Sequence, residues 1–411
     1  MTSENQTSDQ LDWRSGVWNR RRAAAPAARI TIASDWAPIR RFAPIIESDP
    51  EAVYGDLLPA LRRSDLRIVN LECPLTAHSR PMVKSGSVLE GVPSHVRGLT
   101  AVPFEIVTLA NNHVFDQGRE AFQETVQLLA ANRIRWVGAG MSADAASQPL
   151  IVDLKGIRLA IVNFSEGEDL TAAVDGPGVS GWEVQRVCDQ VHDLRKTAHA
   201  IVAICHGGIE YIPFPPPYVA RAFERIADAG ADLVIGHHPH VPQGVHIYHG
   251  VPICYSLGNF VFFQETNLIY RKMGYLVEAD ISRNGLDGIA IVPYEIAATG
   301  LVMMAGQQRT VFFNALKRVS TPLAQKGGVE AAWNGFLRRY GQAGLVQEIG
   351  MILSTMAQDP PKGAAMFRNR LTTLQHHQHW VALLTRVMDR TIDDAPDWAL
   401  ELAHEWLTRQ C

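Results

Sequence analysis

The stretch FEIVTLANNHVFDQGREAFQETVQLLAANR (104–133) decides how the chain is read. It begins as a short apolar run and passes through Asn111, Asn112 and His113. It then continues with apolar residues at helical spacing. A run of that length and composition suits a buried strand. Strand followed by helix suits a crossover unit of an α/β sheet. The same grammar recurs on both sides. ITIAS (30–34), LRIVN (66–70), LAIVNF (159–164), AIVAIC (200–205) and DLVIG (232–236) are further strand-like runs. YVARAFERIADAG (218–230) reads as a helix stopped by Gly230.

Three segments read as hairpins. Their turns fall at Lys155-Gly156, His249-Gly250 and Asn284-Gly285, so the late region is antiparallel. Residues 29–300 form one α/β domain in this reading. Residues 301–411 carry apolar positions at three- and four-residue spacing, interrupted by Pro360-Pro361, and read as a helical C-terminal extension. Residues 1–28 are polar, then Arg- and Ala-rich, and read as a flexible arm.

Composition narrows the function classes. Of 411 residues, 47% are hydrophobic and 19% charged, which excludes a mainly disordered chain. Lys plus Arg number 38 against 42 Asp plus Glu, a net charge of −4. Nucleic-acid binding needs a basic face, so no nucleic-acid partner is expected. No apolar run reaches the ~18–20 residues that span a bilayer. The AAAPAAR after Arg20–Arg22 is too short and weakly apolar for a signal-peptide core. The five cysteines form no CxxC pair, which fits a reduced chain. A cytoplasmic location is the expectation.

Chemistry gathers at the strand ends. Asp35 follows one run and Glu72 closely follows the next. Asn111–His113, His206, and the group His237, His238 and His240 follow three others. Ligands of open α/β sheets bind outside the carboxyl ends of strands. A single strand-end Asp or Asn is ordinarily a cap or turn residue. Five strands delivering such groups to one edge exceed what capping explains. If His238-Pro239-His240 is extended, both imidazoles point to one side. With Asp35, Glu72, Asn112 and His206 they make a mixed nitrogen–oxygen set suited to Zn, Fe(II) or Mn. One carboxylate shared by two ions would activate a water for displacement at phosphorus.

These residues carry a resemblance. SDLRIVNLECPLT (64–76), VTLANNHVFDQG (107–118), ICHGGIEY (204–211), ADLVIGHHPHVPQGVHIYHG (231–250) and ICYSLGNFVF (253–262) resemble the CapA family. These are poly-γ-glutamate capsule-synthesis proteins within the calcineurin-like metallophosphoesterase superfamily. The resemblance covers about residues 29–265. It implies a four-layer αββα metallophosphatase-like sandwich with one or two divalent metal ions (Mn, Zn or Fe). It implies that Asp35 and His240 bind the first ion, that Asn112, His206 and His238 bind the second, and that Glu72 bridges them. His113 would assist the leaving group, and Asp116 would orient His113.

Ala37 stands where the superfamily has a histidine, a loss shared by CapA relatives, and two departures stand out against the family pattern: Ser34-Asp35 for Gly-Asp, and His206-Gly207-Gly208 for His-Trp-Gly. The last is read as opening space beside the metal. Lys84 stands where relatives often keep a lysine and reads as an anion contact, or as a plain surface lysine. Glu210 reads as support for His206 or as a turn residue, and Asn259 as shaping the cleft. The three are the candidate substrate-binding residues. His376, His377 and His379 read as exposed helical surface rather than ligands, and PFPPPY (213–218) as a rigid loop rimming the site.

The leading expectation is a metal-dependent hydrolase acting on a phosphate ester or phosphoanhydride in a small-molecule or polyanionic substrate. Cleavage or transfer of an amide or γ-glutamyl bond is the alternative. A non-catalytic polymer-binding or biosynthesis accessory is the third. The C-terminal helices are candidates for a homo-oligomer contact, for a lid, or for completing the core.

Overall fold

The apolar runs become strands because each can bury both faces. A computed structural model describes residues 10–20 and 27–411. In it Ile68 belongs to one core cluster and its neighbour Val69 to another, and Ile106 and Val107 divide the same way. That division follows the period-two alternation of strand side chains.

One sheet has eight strands. Seven run in the order β1 (Val17–Asn19), β15 (Gly285–Ala297), β14 (Met273–Ser282), β2 (Ala28–Trp36), β3 (Leu66–Leu71), β4 (Ile106–Thr108) and β5 (Arg135–Val137), and β16 (Gly300–Met303) pairs with β15. β2 to β5 are mutually parallel, while β14, β15 and β1 are antiparallel additions. The second sheet runs β12 (Val245–Tyr248), β13 (Val251–Cys254), β11 (Leu233–His237), β10 (Ala200–His206), β8 (Ile157–Ser165) and β7 (Leu150–Leu154). Its four central strands are parallel, with hairpin partners at both edges. A two-stranded ribbon joins β6 (Ala139–Gly140) to β9 (Gly178–Val179).

Ile30, Ile32 and Ile68 of the first sheet share a core with Ile161, Ile204 and Ile235 of the second. Val187, Val191, Val219 and Phe223 on two helices join this cluster, and Phe42, Ile46, Phe122 and Leu129 on other helices join the core of the first sheet. The result is the helix–sheet–sheet–helix layering expected from the resemblance. Turn chemistry holds the hairpins. Lys155 and Gly156, and His249 and Gly250, all have positive φ, the signature of tight two-residue turns. The third turn sits one residue earlier than expected, because Gly285 already opens β15.

Part of the expected N-terminal arm is a strand. Val17–Asn19 pairs with β15, and Leu11 and Trp18 are buried. The rest of that reading, residues 1–9 and 21–26, lies outside the described residues. At the other end the first sheet continues through Met303. Five helical segments follow: Gly306–Ser320, Gly328–Gln358, which is broken in two at Gly341 (φ 62°), Pro360–Thr372, Leu374–Met388 and Asp397–Thr408. Asp359 interrupts the series and caps the next helix, with Pro360 at its first position. The extension has its own core of Trp333, Phe336, Leu337, Leu345 and Leu383, closed by Ile209 and Ile212 from the loop after β10. Burying one such leucine contributes about 1.5–3 kcal/mol. No helix among the described residues is long and apolar enough to cross a membrane.

Candidate metal centre

Parallel pairing aligns the strand ends. Asp35 lies beside Asn70 in the β2–β3 register, and His206 lies beside His237 in the β10–β11 register. Glu72 follows β3 directly, Asn112 sits in the loop after β4, and His238 and His240 follow β11. All six expected metal ligands are buried. His206 Nε2 is 2.9 Å from Asn112 Oδ1 and 3.3 Å from Glu72 Oε1. His240 Nδ1 is 3.4 Å from Asp35 Oδ2, and its Nε2 is 3.8 Å from Glu72 Oε1.

The HHPH segment brings its imidazoles together differently from the extended reading. β11 ends at His237, and both His238 (φ 98°) and His240 (φ 56°) have positive φ. Such conformations are uncommon for non-glycine residues and cost energy that the surrounding structure must supply. The His238 and His240 rings still meet, 5.8 Å between centroids, and His206 lies 4.9 Å from His238.

Two donor groups have ligand atoms mutually within 4.8 Å: Glu72 with His238 and His240, and Asp35 with Glu72 and His206. Glu72 is common to both. Asp35 Oδ2, both Glu72 oxygens and His238 Nδ1 are buried without a hydrogen-bond partner. Buried polar atoms are normally satisfied, so this set fits cations. A cavity of about 10 Å³, space for one water-sized particle, lies among Asn112, Glu168, His206, His238 and Gln375.

Electrostatics agree. Burial and the charge of Asp35 lift the Glu72 carboxyl well above its ordinary value. Burial also raises Asp35, but its bond to His240 and the nearby imidazole charges hold it below the usual carboxylate range. His206 is held well below its ordinary value by burial and by His238, which keeps it in the neutral, metal-ligating form. Burial opposes charge on His240, yet Glu72 and Asp35 lift it to about 10. A divalent cation among these groups takes over the compensation that protons otherwise provide.

His113 and Asp116, read as an acid and its orienting carboxylate, lie together. His113 Nδ1–H donates to Asp116 Oδ2 at 2.6 Å, which leaves Nε2 as the exchangeable position. Burial opposes the Asp116 charge, but His113 and Lys84 hold its carboxyl below the ordinary value. Asn111 fixes the loop by accepting from the backbone of His113 and Val114. Lys84 is no surface lysine. It is 2% exposed, and its ammonium donates to Asn112 O and Asp116 Oδ1 at 2.7 and 2.8 Å. Glu210 sits in the loop facing His240, 4.0 Å away, with its side chain 41% exposed. Asn259 Oδ1 accepts from His240 Nδ1 at 2.8 Å.

Several contributors were not singled out from sequence. Glu166 packs on Gly207 and accepts from Tyr218 and from the Gly208 amide. A Cβ at Gly207 would lie 2.9 Å from Glu166 Cγ, so the expected open space is filled. Burial, against the Tyr218 bond, raises the Glu166 carboxyl to about 8. Glu168 accepts from Asn112 and Asn369, and Gln375 meets His238. The histidines of the extension are not a uniform exposed face. Of the three in LQHHQH, His376 Nε2 lies 3.6 Å from Glu168, His379 is buried in the aromatic core, and only His377 is exposed. Ile212–Pro216 is buried, so most of PFPPPY is packed inside rather than along a rim.

Fold and site together define a two-sheet α/β protein with a candidate two-cation centre where the parallel strands end. The chain belongs to the family described as bacterial capsule synthesis protein PGA_cap, whose model matches residues 21–264. It is 29% identical over 250 residues to the PGA biosynthesis protein CapA of Bacillus subtilis, a match covering 60% of this chain and 65% of that one, so less than two thirds of the relative's length is spanned. It is 30% identical over 296 residues to a probable polyglutamine synthesis accessory protein of Mycobacterium tuberculosis, covering 65% of this chain and 76% of that one. A 5'-nucleotidase precursor of Thermus thermophilus aligns structurally over 67% of this chain and 54% of its own, with 14% identity and a TM-score of 0.40.

Proposed function

We propose that the chain is a metal-dependent hydrolase that cleaves a phosphate ester or phosphoanhydride. The observation that carries this reading is Glu72, a buried carboxylate shared by two donor groups with neither oxygen hydrogen-bonded. In this reading, which follows the family pattern rather than the grouping of His238 with His240 and of Asp35 with His206, Asp35 and His240 hold one cation, Asn112, His206 and His238 hold a second, and Glu72 serves both. Divalent cations there would supply the charge that ionises water near neutral pH and offsets charge developing at phosphorus. The chain's own groups do the rest. His113, with one proton held on Nδ1 by Asp116 and a second on Nε2, gives the Nε2 proton to the leaving oxygen and is left as the neutral imidazole. Asp116 keeps its tautomer, and Lys84 holds Asp116 and the Asn112 backbone in register. Asn259 keeps the His240 Nδ1 proton, which directs Nε2 toward Glu72.

The names of the relatives, a PGA biosynthesis protein and a probable polyglutamine synthesis accessory protein, favour a link to polymer synthesis, for which the second reading is action on an amide or γ-glutamyl bond. One experiment separates the two. Metal content and turnover of a phosphomonoester, a phosphodiester and a γ-glutamyl peptide are measured for wild type and Glu72→Ala. The proposal expects about two equivalents of metal and phosphoester turnover, both lost in the variant. Turnover of the γ-glutamyl peptide alone moves the assignment to the second reading. Absence of bound metal after loading with Mn2+ or Zn2+ overturns both catalytic readings.

A further inference from the structure

Two polar side chains couple the helical extension to the metal centre. Gln375, at the start of helix Leu374–Met388, is buried and lines the small cavity. Its Oε1 lies 3.1 Å from His238 Nε2, while its Nε2 faces His376. A carbonyl oxygen only accepts, so the His238 proton sits on Nε2. His238 Nδ1, buried without a partner, is then the nitrogen that keeps its lone pair, and His238 belongs to one of the two donor groups. Glu168 plays the matching part for Asn112. Its Oε2 accepts from Asn112 Nδ2 at 3.0 Å, and a carboxylate cannot donate. The amide is thereby turned so that Oδ1 points to His206, 2.9 Å away. Glu168 is itself held from the extension by Asn369 Nδ2 at 3.0 Å and faced by His376.

We propose that Gln375 and Glu168 are positioning residues for the His238–Asn112 cation, fixing the imidazole tautomer and the amide orientation, and that the helical extension holds them in place. This rests on the proposed metal centre. It goes beyond it by making residues outside the matched stretch 21–264 part of the site. Partners of this kind orient metal ligands, and losing one typically weakens metal binding ~10–100-fold.

The test is Co2+ titration of the chelator-treated full chain, followed by calorimetry and by visible absorption, which reports coordination rather than folding. His238→Ala identifies which binding event belongs to this cation. Gln375→Leu removes the acceptor and Gln375→Glu keeps it. Glu168→Met removes the second acceptor and Glu168→Gln keeps one without the charge. The proposal expects Gln375→Leu and Glu168→Met to weaken the identified event ~10–100-fold, with any other event within about twofold. It expects Gln375→Glu and Glu168→Gln to recover most of the loss. Unchanged affinity and spectrum in Gln375→Leu and Glu168→Met, with the event lost in His238→Ala, overturns the inference and leaves the metal centre standing. Equal loss in Glu168→Gln and Glu168→Met assigns the effect of Glu168 to charge alone and overturns its positioning role. No effect in His238→Ala removes the proposed cation site and this inference together. If Gln375→Leu loses its native circular dichroism, the Glu168 pair decides.

Discussion

The strand-edge ligands and the helical extension reach the same small space by different physics. Asp35, Glu72 and His206 are carried by backbone ladders whose register leaves little choice of position. Asn369, Gln375 and His376 are carried by two helices, the second of which is seated in part by the aromatic and leucine cluster around Phe336 and Leu337. Hydrogen-bonded ladders set position locally, within a few residues of the motif. A helix surface is set by side-chain packing against elements far away in sequence. The first kind of region supplies the donor atoms, and the second supplies the bonds that orient two of them.

The sharpest break between the regions comes from substitutions that separate activity from stability. His113→Ala removes the proposed proton donor at a position that the ladders hold regardless. Turnover of a substrate with a poor leaving group is expected to fall about 10²–10⁴-fold, with metal content and thermal midpoint near wild type. Equal turnover in variant and wild type would sink the role given to His113. Leu337→Ala works the other way. Leu337 is fully buried in the extension core, and truncation is expected to cost about 2–5 kcal/mol. Denaturant unfolding followed by tryptophan fluorescence should show an earlier transition, since Trp333 and Trp380 flank this cluster. If the extension positions Gln375, cation affinity weakens as well, although Leu337 touches no ligand. A stable variant with unchanged unfolding would show that the extension is held by something other than this cluster.

What could be read from the sequence follows the same division. The strands were legible because runs such as AIVAIC and LRIVN tolerate burial on both faces, and two hairpins were legible from turn residues that accept positive φ. The ligand positions followed, since each lies within a few residues of a strand end. The backbone of His238 and His240 was not legible, because Pro239 suits extended chain and the positive φ values are imposed by the site. Lys84, read as an anion contact or a surface lysine, carries no local sign of its pairing with Asp116, 32 residues away. Glu168 in SEGED and Gln375 in LQHHQH carry no local signal, as each gains its role from a partner more than 50 residues distant. His379 shows the same limit. The residues just before it, Gln375 to Gln378, are polar, but Phe336 and Tyr340 pack on its ring.

The smallest expected effect tests the comparison through pH, because the two regions carry buried groups of opposite sign. Burial holds the His379 imidazole down to about 4 against an ordinary 6.5. Unfolded chain therefore binds this proton more readily. The stability tied to a neutral His379 is complete above about pH 6.5 and is lost as pH falls toward 4. Glu166, beside the metal centre, runs the other way. Its carboxyl is raised from 4.5 to about 8, so the folded chain binds the proton more readily. The stability it retains while protonated is complete below pH 4.5 and is lost as pH rises through 8. Thermal midpoints of the chelated protein between pH 4 and 9 should fall toward both ends. His379→Leu is expected to remove a rise of one proton's slope between pH 4 and 6.5, and Glu166→Gln a fall of one proton's slope between pH 4.5 and 8. If either substitution changes the slope outside its own window, the two regions are not titrating independently, and the separation of ladder-held site from packing-held extension fails. If neither changes the slope within its window, burial is not what governs those two groups.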